Sequence, residues 1–385
     1  MDKKELYINN ELNDDTIYDQ IDKYLKNRYS IVFNTISHEY YIKFKKTKEW
    51  YRLNDKSLLI ELTKKGIKIK KGELETYLGS NFIEHVSPFE EYFKNLDKWD
   101  GVDHIERLAS YIYTENDKLF KYHFKKWFVR AVKCSLEEEY YNKSCIVLVH
   151  ETENSGKSTF CRFLTPKELK NYSSENISYD KDGLSQLCKN IIINLDEIDQ
   201  IDHRAIKAYK SMLSKTHINI RLPYHKVHSI FSRTSSFIGS TNKINFLKAS
   251  SGDVRWICFE LTDIIDFNYS KEIDIDKVWS QAYFLAYKDE KYNCDLTRKD
   301  VIENKTRNEK YKSFSIEEDL INQLFEKSEN REEFLTASQV TNIIKKEHPY
   351  VNHISIGKEL SKLGFKRING SETGNKGYMI RLKKK

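Results

Sequence analysis

The sequence predicts an α/β fold, with a core of parallel strands flanked by helices, an α+β module before the core and a winged helix after it. Three short apolar runs, CIVLVH, NIIINL and SSFIGST, begin at Cys145, Asn190 and Ser235 and are separated by helical patterns. Continuous apolar runs of this length are typical of strands that are buried on both faces of a parallel sheet. Alternating stretches precede these runs, and three helical patterns with two short strands follow them.

The order of these patterns divides the chain into five parts. We predict an N-terminal α+β module (residues 1–85), a helical adaptor (86–140), a P-loop core (141–270), a helical lid or linker (271–312) and a winged helix (313–385). Within the fourth part, residues 291–311 are charged and have the composition of a linker. The last part has the winged-helix pattern of three helices and a two-stranded wing.

The composition excludes several classes of protein. Of the 385 residues, 39% are hydrophobic and 13% aromatic, which is enough to build a buried core and argues against a disordered chain. The sequence contains no run of eighteen apolar residues, so it predicts no membrane span. The polar N-terminus lacks the apolar segment of a secretory signal, and we therefore predict a cytoplasmic location. The six cysteines form no CxxC pair, which predicts buried apolar side chains and neither zinc ligands nor disulfides.

The net charge of +7 is concentrated in one segment. Residues 350–385 contain nine Lys and Arg against two Glu, so this segment carries the whole excess. A localised basic surface attracts phosphate polyanions, which predicts DNA as its partner. Because the chain is also rich in Ile, Asn and Tyr, the alternative is a solvated surface enriched in lysine by an AT-rich genome.

A phosphate-binding loop is predicted directly after the first apolar run, where the sequence reads ETENSGKST and a helix begins. In such a loop the lysine, Lys157, reaches the β- and γ-phosphates, and the next residue, Ser158, holds Mg²⁺. The predicted cofactors are therefore ATP and Mg²⁺. The predicted nucleotide-binding residues are Asn154, Ser155, Gly156, Lys157, Ser158 and Thr159. Glu151 stands where the GxxxxGK[ST] pattern has its first glycine.

Polar residues follow the other two apolar runs. NIIINLDEID places Asp196 as a ligand of Mg²⁺ and Glu197 as the base that polarises the attacking water. SSFIGSTN ends in Asn242, which would orient that water. In isolation, an acidic turn and a turn-capping asparagine would be the better explanations of these residues. The position of the acidic pair thirty-nine residues after the lysine of the loop favours the catalytic interpretation.

An arginine follows the glycine turn of SSGDVRW and precedes the apolar stretch WICFEL. At this position Arg255 is predicted to act as an arginine finger, which stabilises transition-state charge on the nucleotide of a neighbouring subunit. The alternative is an ordinary surface arginine in a salt bridge.

Lys157, Asp196–Glu197, Asn242 and Arg255 occur in this order within about a hundred residues. This series resembles the superfamily 3 helicase branch of AAA+ ATPases. It is most similar to the virulence-associated protein E (VirE-type) family of phage and mobile-element replication proteins. The resemblance covers roughly residues 85–265 and includes WDG at Trp99, KSMLS, RLPY, Arg233 and GSTN. It implies an AAA+ core, an ATP-driven DNA helicase and a homo-hexamer.

The segment HINIRLPYHKVHSIF predicts a β-hairpin. In superfamily 3 motors a hairpin at this place projects into the central channel and grips DNA, so the resemblance implies DNA contacts by Tyr224, His225 and Lys226. The alternative is a plain surface hairpin.

The basic C-terminal segment supplies the second set of predicted DNA contacts. The predicted recognition helix carries Lys358 and Lys362 one turn apart, and Lys366, Arg367 and Arg381 lie on the wing strands. Single-stranded DNA is expected in the channel and duplex DNA at the winged helix.

The sequence departs from the family pattern at the glycine positions occupied by Glu151 and Asn154, and around Asp253 and Arg255. No primase motif precedes the core, so a primase is expected as a separate partner. Two alternatives to a helicase remain: an AAA+ initiator or loader that remodels DNA without unwinding it, and a winged-helix DNA-binding protein with an inactive P-loop. Glu197 argues against the last alternative, because a protein that only binds needs no water-polarising carboxylate.

Overall fold

The computed structural model describes residues 15–198, 203–221, 229–248, 254–313, 316–346, 348–369 and 376–383. The chain has a mixed α/β fold built on a parallel sheet with helices on both faces, which confirms the predicted class. Within these ranges, no helix is both long enough and apolar enough to cross a bilayer.

The N-terminal part is an α+β unit with a core of its own. Its elements are α1 (Ile17–Arg28), β1 (Tyr29–Asn34), β2 (Glu39–Phe44), β3 (Tyr51–Arg52), α2 (Asp55–Lys64), α3 (Lys71–Leu78) and β4 (Glu84–Val86). The sheet order is β3-β2-β1-β4, and β4 runs parallel to β1. Helical apolar residues such as Ile21, Leu62 and Leu74 form a cluster under one face of this sheet.

Three helices lead into the central sheet. They are α4 (Pro88–Asn95), α5 (His104–Ala109) and α6 (Asp117–Leu136). Ser87 caps α4 and Pro88 occupies its first turn, where a missing N–H costs nothing. The Trp127 indole of α6 donates to the Phe237 carbonyl at 2.8 Å. This bond ties the helical part to a central strand.

The central unit contains five parallel strands and a separate hairpin. Its elements are β5 (Cys145–Val149), α7 (Lys157–Phe163), a 3₁₀ helix (Lys167–Tyr172), β6 (Ser173–Glu175), α8 (Lys181–Gln186), β7 (Ile192–Leu195), α9 (His203–Leu213), β8 (His217–Ile220), β9 (Ser229–Ser232), β10 (Ser236–Thr241), β11 (Leu247–Lys248) and β12 (Trp256–Glu260). The sheet order is β12-β5-β10-β7-β6, with every neighbouring pair parallel. Strands β8 and β9 pair only with each other among the described residues.

Both faces of the central sheet are buried, as the continuous apolar runs predicted. On β5, Ile146 and Leu148 join one hydrophobic cluster, which also contains residues of α4, α5 and α6. Cys145, Val147 and Val149 join the cluster on the opposite face. The alternation follows from the two-residue period of a strand.

Residue Arg233 fixes the start of β10. Its side chain is fully buried, and it donates to the carbonyls of Met212, Leu213, Ser235 and Asn142 at 2.8–3.1 Å. Burial lowers the pKa of this guanidinium, and the four carbonyls supply the hydrogen bonds that a desolvated cation needs. Arg233 therefore joins the end of α9, the segment before β5 and the start of β10.

The segment after the central sheet is helical and packed against it. It comprises α10 (Tyr269–Glu272), α11 (Ile275–Tyr287), α12 (Arg298–Asn308), a 3₁₀ turn (Glu309–Tyr311) and β13 (Lys312–Ser313), which pairs with β11. Residues 291–311, which have the composition of a linker, contain α12 and the 3₁₀ turn. Asn304 and Asn308 of α12 donate to the Trp256 carbonyl at 2.8 and 2.7 Å, and Arg307 donates to the Cys258 carbonyl at 2.9 Å. These polar side chains satisfy the outer edge of β12, so a charged sequence still forms a docked helix.

The C-terminal part has three helices and a small antiparallel sheet. Its elements are α13 (Ile316–Leu324), β14 (Phe325–Lys327), β15 (Phe334–Leu335), α14 (Ala337–Ile344), α15 (His353–Lys362), β16 (Arg367–Asn369) and β17 (Lys376–Leu382). Strands β14, β15 and β16 all pair with β17. The predicted pair of wing strands is thus extended by two short strands before α14.

All six cysteines are buried, as predicted. Burial raises the pKa of five of the thiols, including Cys161 on α7. A raised pKa disfavours the reactive thiolate, so these residues act as small apolar side chains.

Candidate functional site

The candidate site lies where β5, β10 and β7 end. Ile238 of β10 aligns with Ile146 of β5 and with Asn194 of β7, so the carboxyl ends of the three strands meet at one edge of the sheet. A pocket of about 340 Å³ opens there. It is lined by Glu153, Asn154, Ser155, Gly156, Lys157, Ser158, Thr159, Arg162, Asp196, Glu197, Ser240, Thr241 and Asn242.

The loop between β5 and α7 uses two left-handed residues. Gly156 has φ 87° and precedes the first residue of α7, and Asn154 has φ 59°. Asparagine tolerates this region better than other residues with a β-carbon, which explains how it can replace a glycine. Glu151 is not among the described residues with positive φ, so its position does not require glycine. Both departures from the family pattern are therefore compatible with the loop.

The Lys157 side chain is held close to the loop backbone. Its Nζ donates to Ser155 Oγ at 2.6 Å and to the His150 and Thr152 carbonyls at 3.1 and 3.3 Å. Only 5% of the residue is exposed. The loop therefore positions a buried cation at the wall of the pocket.

Asp196 joins the three strand ends through its carboxylate. Its Oδ1 accepts from Ser158 Oγ at 2.5 Å and from Ser240 Oγ, and its Oδ2 lies 3.5 Å from Arg162 Nη2. A carboxylate and two hydroxyls form an all-oxygen set suited to a hard cation such as Mg²⁺. The described residues contain no group of three His, Cys, Asp or Glu that could hold a metal, so a cation here would also need water or phosphate ligands.

Glu197 follows Asp196 in a strained conformation. Its φ of 53° lies in the left-handed region, which costs a residue with a β-carbon about 1–3 kcal/mol. The turn fits closely against β10. A β-carbon at Gly239 would lie 2.8 Å from the Leu195 carbonyl oxygen and 2.5 Å from Ile198 Cδ1. Gly239 therefore allows the turn that carries both carboxylates to lie against β10.

Asn242 lies in the same pocket, just past the end of β10. It is partly buried. Because β10 lies between β5 and β7, Asn242 follows a strand that neighbours both the loop strand and the acidic strand.

Arg255 lies at the opposite end of the strands, where β5 and β12 begin. It precedes Trp256, which aligns with Cys145 at the amino end of β5. The five residues of β5 separate this end from the loop by about 17 Å at 3.3 Å per residue. Arg255 Nε donates to Ser214 Oγ at 2.8 Å. Arg255 therefore lies far from the pocket of its own chain.

The structure describes the two strands of the predicted DNA-binding hairpin but not residues 222–228 between them. Strands β8 and β9 form an antiparallel pair, with Ile220 opposite Ser229. Tyr224, His225 and Lys226 lie outside the described residues, and their predicted role stays a prediction.

The five basic residues of the C-terminal part fall into two groups. Lys362 pairs with Glu318 and Glu359, and Arg381 pairs with Glu326 and Glu333. All five side chains are exposed, but among the described residues Lys358, Lys366 and Arg367 form no such ion pair. The local sequence could not show this division, because three of the four acidic partners lie 44 to 55 residues away.

The sequence analysis did not predict four residues that line the pocket, nor a ring beside its loop: Glu153, Arg162, Ser240, Thr241 and Phe267. Ser240 is a polar residue inside an apolar strand run, and Arg162 lies one helical turn after Ser158, so each carried a weak signal. Phe267 carried none. A β-carbon at Gly156 would lie 2.9 Å from Phe267 Cζ, so this ring, which is 47% exposed, covers one side of the loop.

The conformation of Asn154 gives a prediction about stability. Asn154→Val should lower the free energy of unfolding by about 1–2 kcal/mol, because a β-branched residue is strained at positive φ. Asn154→Gly should leave it nearly unchanged. Thermal melting would measure both. Glu153→Val places the same residue one position earlier as a control, and equal losses at the two positions would contradict the explanation.

Solved structures with a similar fold cover almost the whole chain. The apo structure of the NrS-1 C-terminal region aligns with a TM-score of 0.55 and 12% identity, over 96% of this chain and 100% of that one. An A-form apo structure of the same region aligns with a TM-score of 0.53 and 12% identity, over 92% and 96%. At this identity the likeness concerns the fold alone. No curated protein matches the sequence significantly.

A family model describes more than half of the chain. The virulence-associated protein E-like domain matches residues 93–313, which contain α5 to α12 and the whole central sheet. The matched range includes the loop of Lys157, the two carboxylates, Asn242 and Arg255. The chain therefore belongs to the virulence-associated protein E-like family.

Proposed function

We propose that the protein is an ATP-dependent DNA helicase of the superfamily 3 type that acts in the replication of a phage or mobile element. The observation that carries this proposal is the meeting of Lys157, Ser158, Asp196, Glu197 and Asn242 in one pocket. A buried lysine, a hydroxyl–carboxylate pair and a second carboxylate are the groups that phosphoryl transfer to water requires.

Each of these residues has a distinct role in the proposed reaction. Lys157 and the loop N–H groups would hold the β- and γ-phosphates, and Ser158 and Asp196 would hold Mg²⁺. Bound Mg²⁺ would supply positive charge to the phosphate oxygens. Glu197 would accept a proton from the attacking water, and Asn242 would orient that water.

The sheet order also indicates where the nucleoside would lie. The carboxylates of β7 are on one side of the β5 loop, and the segment after β12 is on the other. That segment is joined to the loop, because Ile265 N donates to the Ser155 carbonyl at 3.1 Å. With the γ-phosphate near Asp196, the base would extend toward Phe267, whose exposed ring offers a stacking surface.

Family membership supports the replication role, since the resemblance of the sequence is to phage and mobile-element replication proteins. Two alternatives differ in what ATP does. An initiator or loader would hydrolyse ATP without unwinding DNA, and a DNA-binding protein with an inactive P-loop would not hydrolyse it. Glu197 favours hydrolysis over binding alone. Its left-handed backbone conformation costs free energy, and a site that only binds ATP would gain nothing from holding a second carboxylate beside Asp196 in this way.

ATP hydrolysis with and without single-stranded DNA tests the proposed site. Lys157→Ala should abolish turnover together with nucleotide binding. Glu197→Gln should keep ATP bound and lower kcat by roughly 10²- to 10⁴-fold, since the water loses its base while the Mg²⁺ ligands remain. Lys143→Ala removes an exposed lysine outside the pocket and serves as the control.

Full activity of Lys157→Ala would refute the site, and loss of ATP binding in Glu197→Gln would reverse the roles of the two carboxylates. Strand separation assays would then distinguish a helicase from a loader.

The position of Arg255 predicts complementation between subunits of the proposed hexamer. Arg255→Ala should bind ATP normally and lose roughly 10³- to 10⁵-fold in kcat, which is the range for an arginine finger. Mixing it with Lys157→Ala subunits should restore part of the activity, because some interfaces then pair an intact loop with an intact arginine. Mixed assemblies that are shown to form and stay inactive would contradict action in trans.

The two groups of basic residues predict different salt dependences of duplex binding. Changing Lys358, Lys366 and Arg367 to Gln should lower the log–log salt slope by up to about 2.7, at roughly 0.9 per phosphate contact. Lys362→Gln with Arg381→Gln should change the slope less per charge, because these two side chains are already paired with carboxylates. Titrations of a labelled duplex at several salt concentrations would measure both. Equal losses per charge would show that the ion pairs do not matter, and no loss would mean a merely solvated surface.

A further inference from the structure

A basic and aromatic surface lies at the β3 edge of the N-terminal sheet, outside the region that the family model matches. Residues 43–52, hereafter the β2–β3 surface, contain five Lys and Arg and one Glu. Residues 15–86 together contain fourteen Lys and Arg against ten Asp and Glu. Both ranges therefore carry a net charge of +4, so ten residues account for the whole positive excess of the N-terminal part.

Three large aromatic side chains are exposed within this surface. Phe44, Trp50 and Tyr51 are 43%, 42% and 52% exposed. An AT-rich genome can explain extra lysines and tyrosines, but it does not favour tryptophan, so it does not explain the exposed Trp50 ring beside them. Exposed apolar rings that cluster together mark a contact surface more often than an accident of folding.

The surface is ordered by contacts among its own residues, by Arg28 of α1 and by an ion pair of Arg52 with Glu39 of β2. Lys43 Nζ lies 4.6 Å from the centre of the Trp50 ring, and the Arg28 guanidinium carbon lies 5.7 Å from that of Phe44. Tyr51 Oη donates to the Glu49 carboxylate at 2.5 Å, which engages the one acidic side chain of the segment. Cations over aromatic rings hold those rings in place while leaving part of each ring exposed. Lys45, Lys46 and Lys48 are exposed beside them.

We propose that the β2–β3 surface binds single-stranded DNA through its lysines and stacks bases on Trp50 and Tyr51. Lysines that follow the phosphate backbone and aromatic rings that stack on bases are the two components of sequence-tolerant single-strand binding. Duplex DNA hides the faces of its bases within the stack, so an aromatic surface favours an unpaired strand.

The surface belongs to a module that contacts the central hairpin. The His38 ring of the β1–β2 turn packs against Phe231 of β9 with ring centres 4.6 Å apart. Asn34 at the end of β1 also donates to Tyr172 Oη at 2.7 Å. These contacts join the N-terminal sheet to the central unit at the turn end of β2, and the β2–β3 surface begins at the other end of that strand.

Binding of a fluorescein-labelled oligothymidylate to the full chain, without nucleotide, tests this proposal independently of ATP hydrolysis. Trp50→Ala should weaken binding roughly 5- to 150-fold without changing the salt slope. Trp50→Phe should retain most of the affinity. Changing Lys45, Lys46 and Lys48 to Gln should lower the salt slope by up to about 2, at roughly 0.7 per contact on single strands.

Matched variants of the same module provide the controls. Phe82→Ala removes a ring that is 68% exposed elsewhere in the module, and Lys23, Lys64 and Lys68 changed to Gln remove three exposed lysines. Both should bind as the unaltered chain does. A photoreactive iododeoxyuridine strand should crosslink to Trp50 or Tyr51. If Trp50→Ala does not fold, the lysine variant and the crosslink still decide the question.

Three outcomes would overturn the proposal. The first is unchanged binding by folded Trp50→Ala and by the lysine variant. The second is an equal loss of duplex and single-strand affinity, which would indicate a basic surface without stacking. The third is binding of phosphatidylserine vesicles that these variants abolish while oligothymidylate binding persists, which would assign the surface to a membrane.

Discussion

The Asp196 carboxylate is the group on which the geometry of the candidate site depends. It accepts hydrogen bonds from Ser158 at the start of α7 and from Ser240 near the end of β10, and it lies beside Arg162 on the second turn of α7. It therefore connects the loop strand, the central strand and the acidic strand at one point. In this position the Asp196 carboxylate can bind a cation in place of the two hydroxyl donors without movement of the backbone, since the residue already lines the pocket. The structural role and the proposed metal-binding role thus use the same atoms.

This junction requires β10 to lie between β5 and β7, and two residues make that order possible. Gly239 provides the space, because a side chain there would collide with Leu195 at the end of β7 and with Ile198 in the turn that follows. Arg233 provides the anchor, because its guanidinium donates to carbonyls before β5, at the end of α9 and at the start of β10. A close fit that depends on a glycine and a desolvated cation leaves little freedom for the strand ends.

The local features of the site could be predicted from the sequence, whereas its long-range arrangement could not. The apolar runs identified β5, β7 and β10, and the polar residues after them identified Lys157, Asp196 and Asn242, because these signals lie within a few residues of each other. The order of the strands depends on pairings between residues that are far apart in the chain, and periodicity carries no information about them. The docking of α12 depends on long-range contacts for the same reason. Its charged composition is that of a linker, and the sequence does not show that Asn304 and Asn308 bind the edge of β12.

Helix α12 also contacts the backbone on both sides of Arg255. Asn304 donates to the carbonyls of Val254 and Trp256, and the Arg255 carbonyl accepts from Cys145 N at 2.8 Å. The backbone on both sides of Arg255 is therefore fixed, although the side chain lies at the edge of the sheet away from its own pocket. An arginine that reaches a phosphate on a neighbouring chain, as proposed for Arg255, would need such a fixed backbone, because a displacement of about 1 Å can remove most of its effect on the transition state. In the proposed mechanism, α12 thus supports the backbone of an arginine that acts on the nucleotide of the neighbouring subunit.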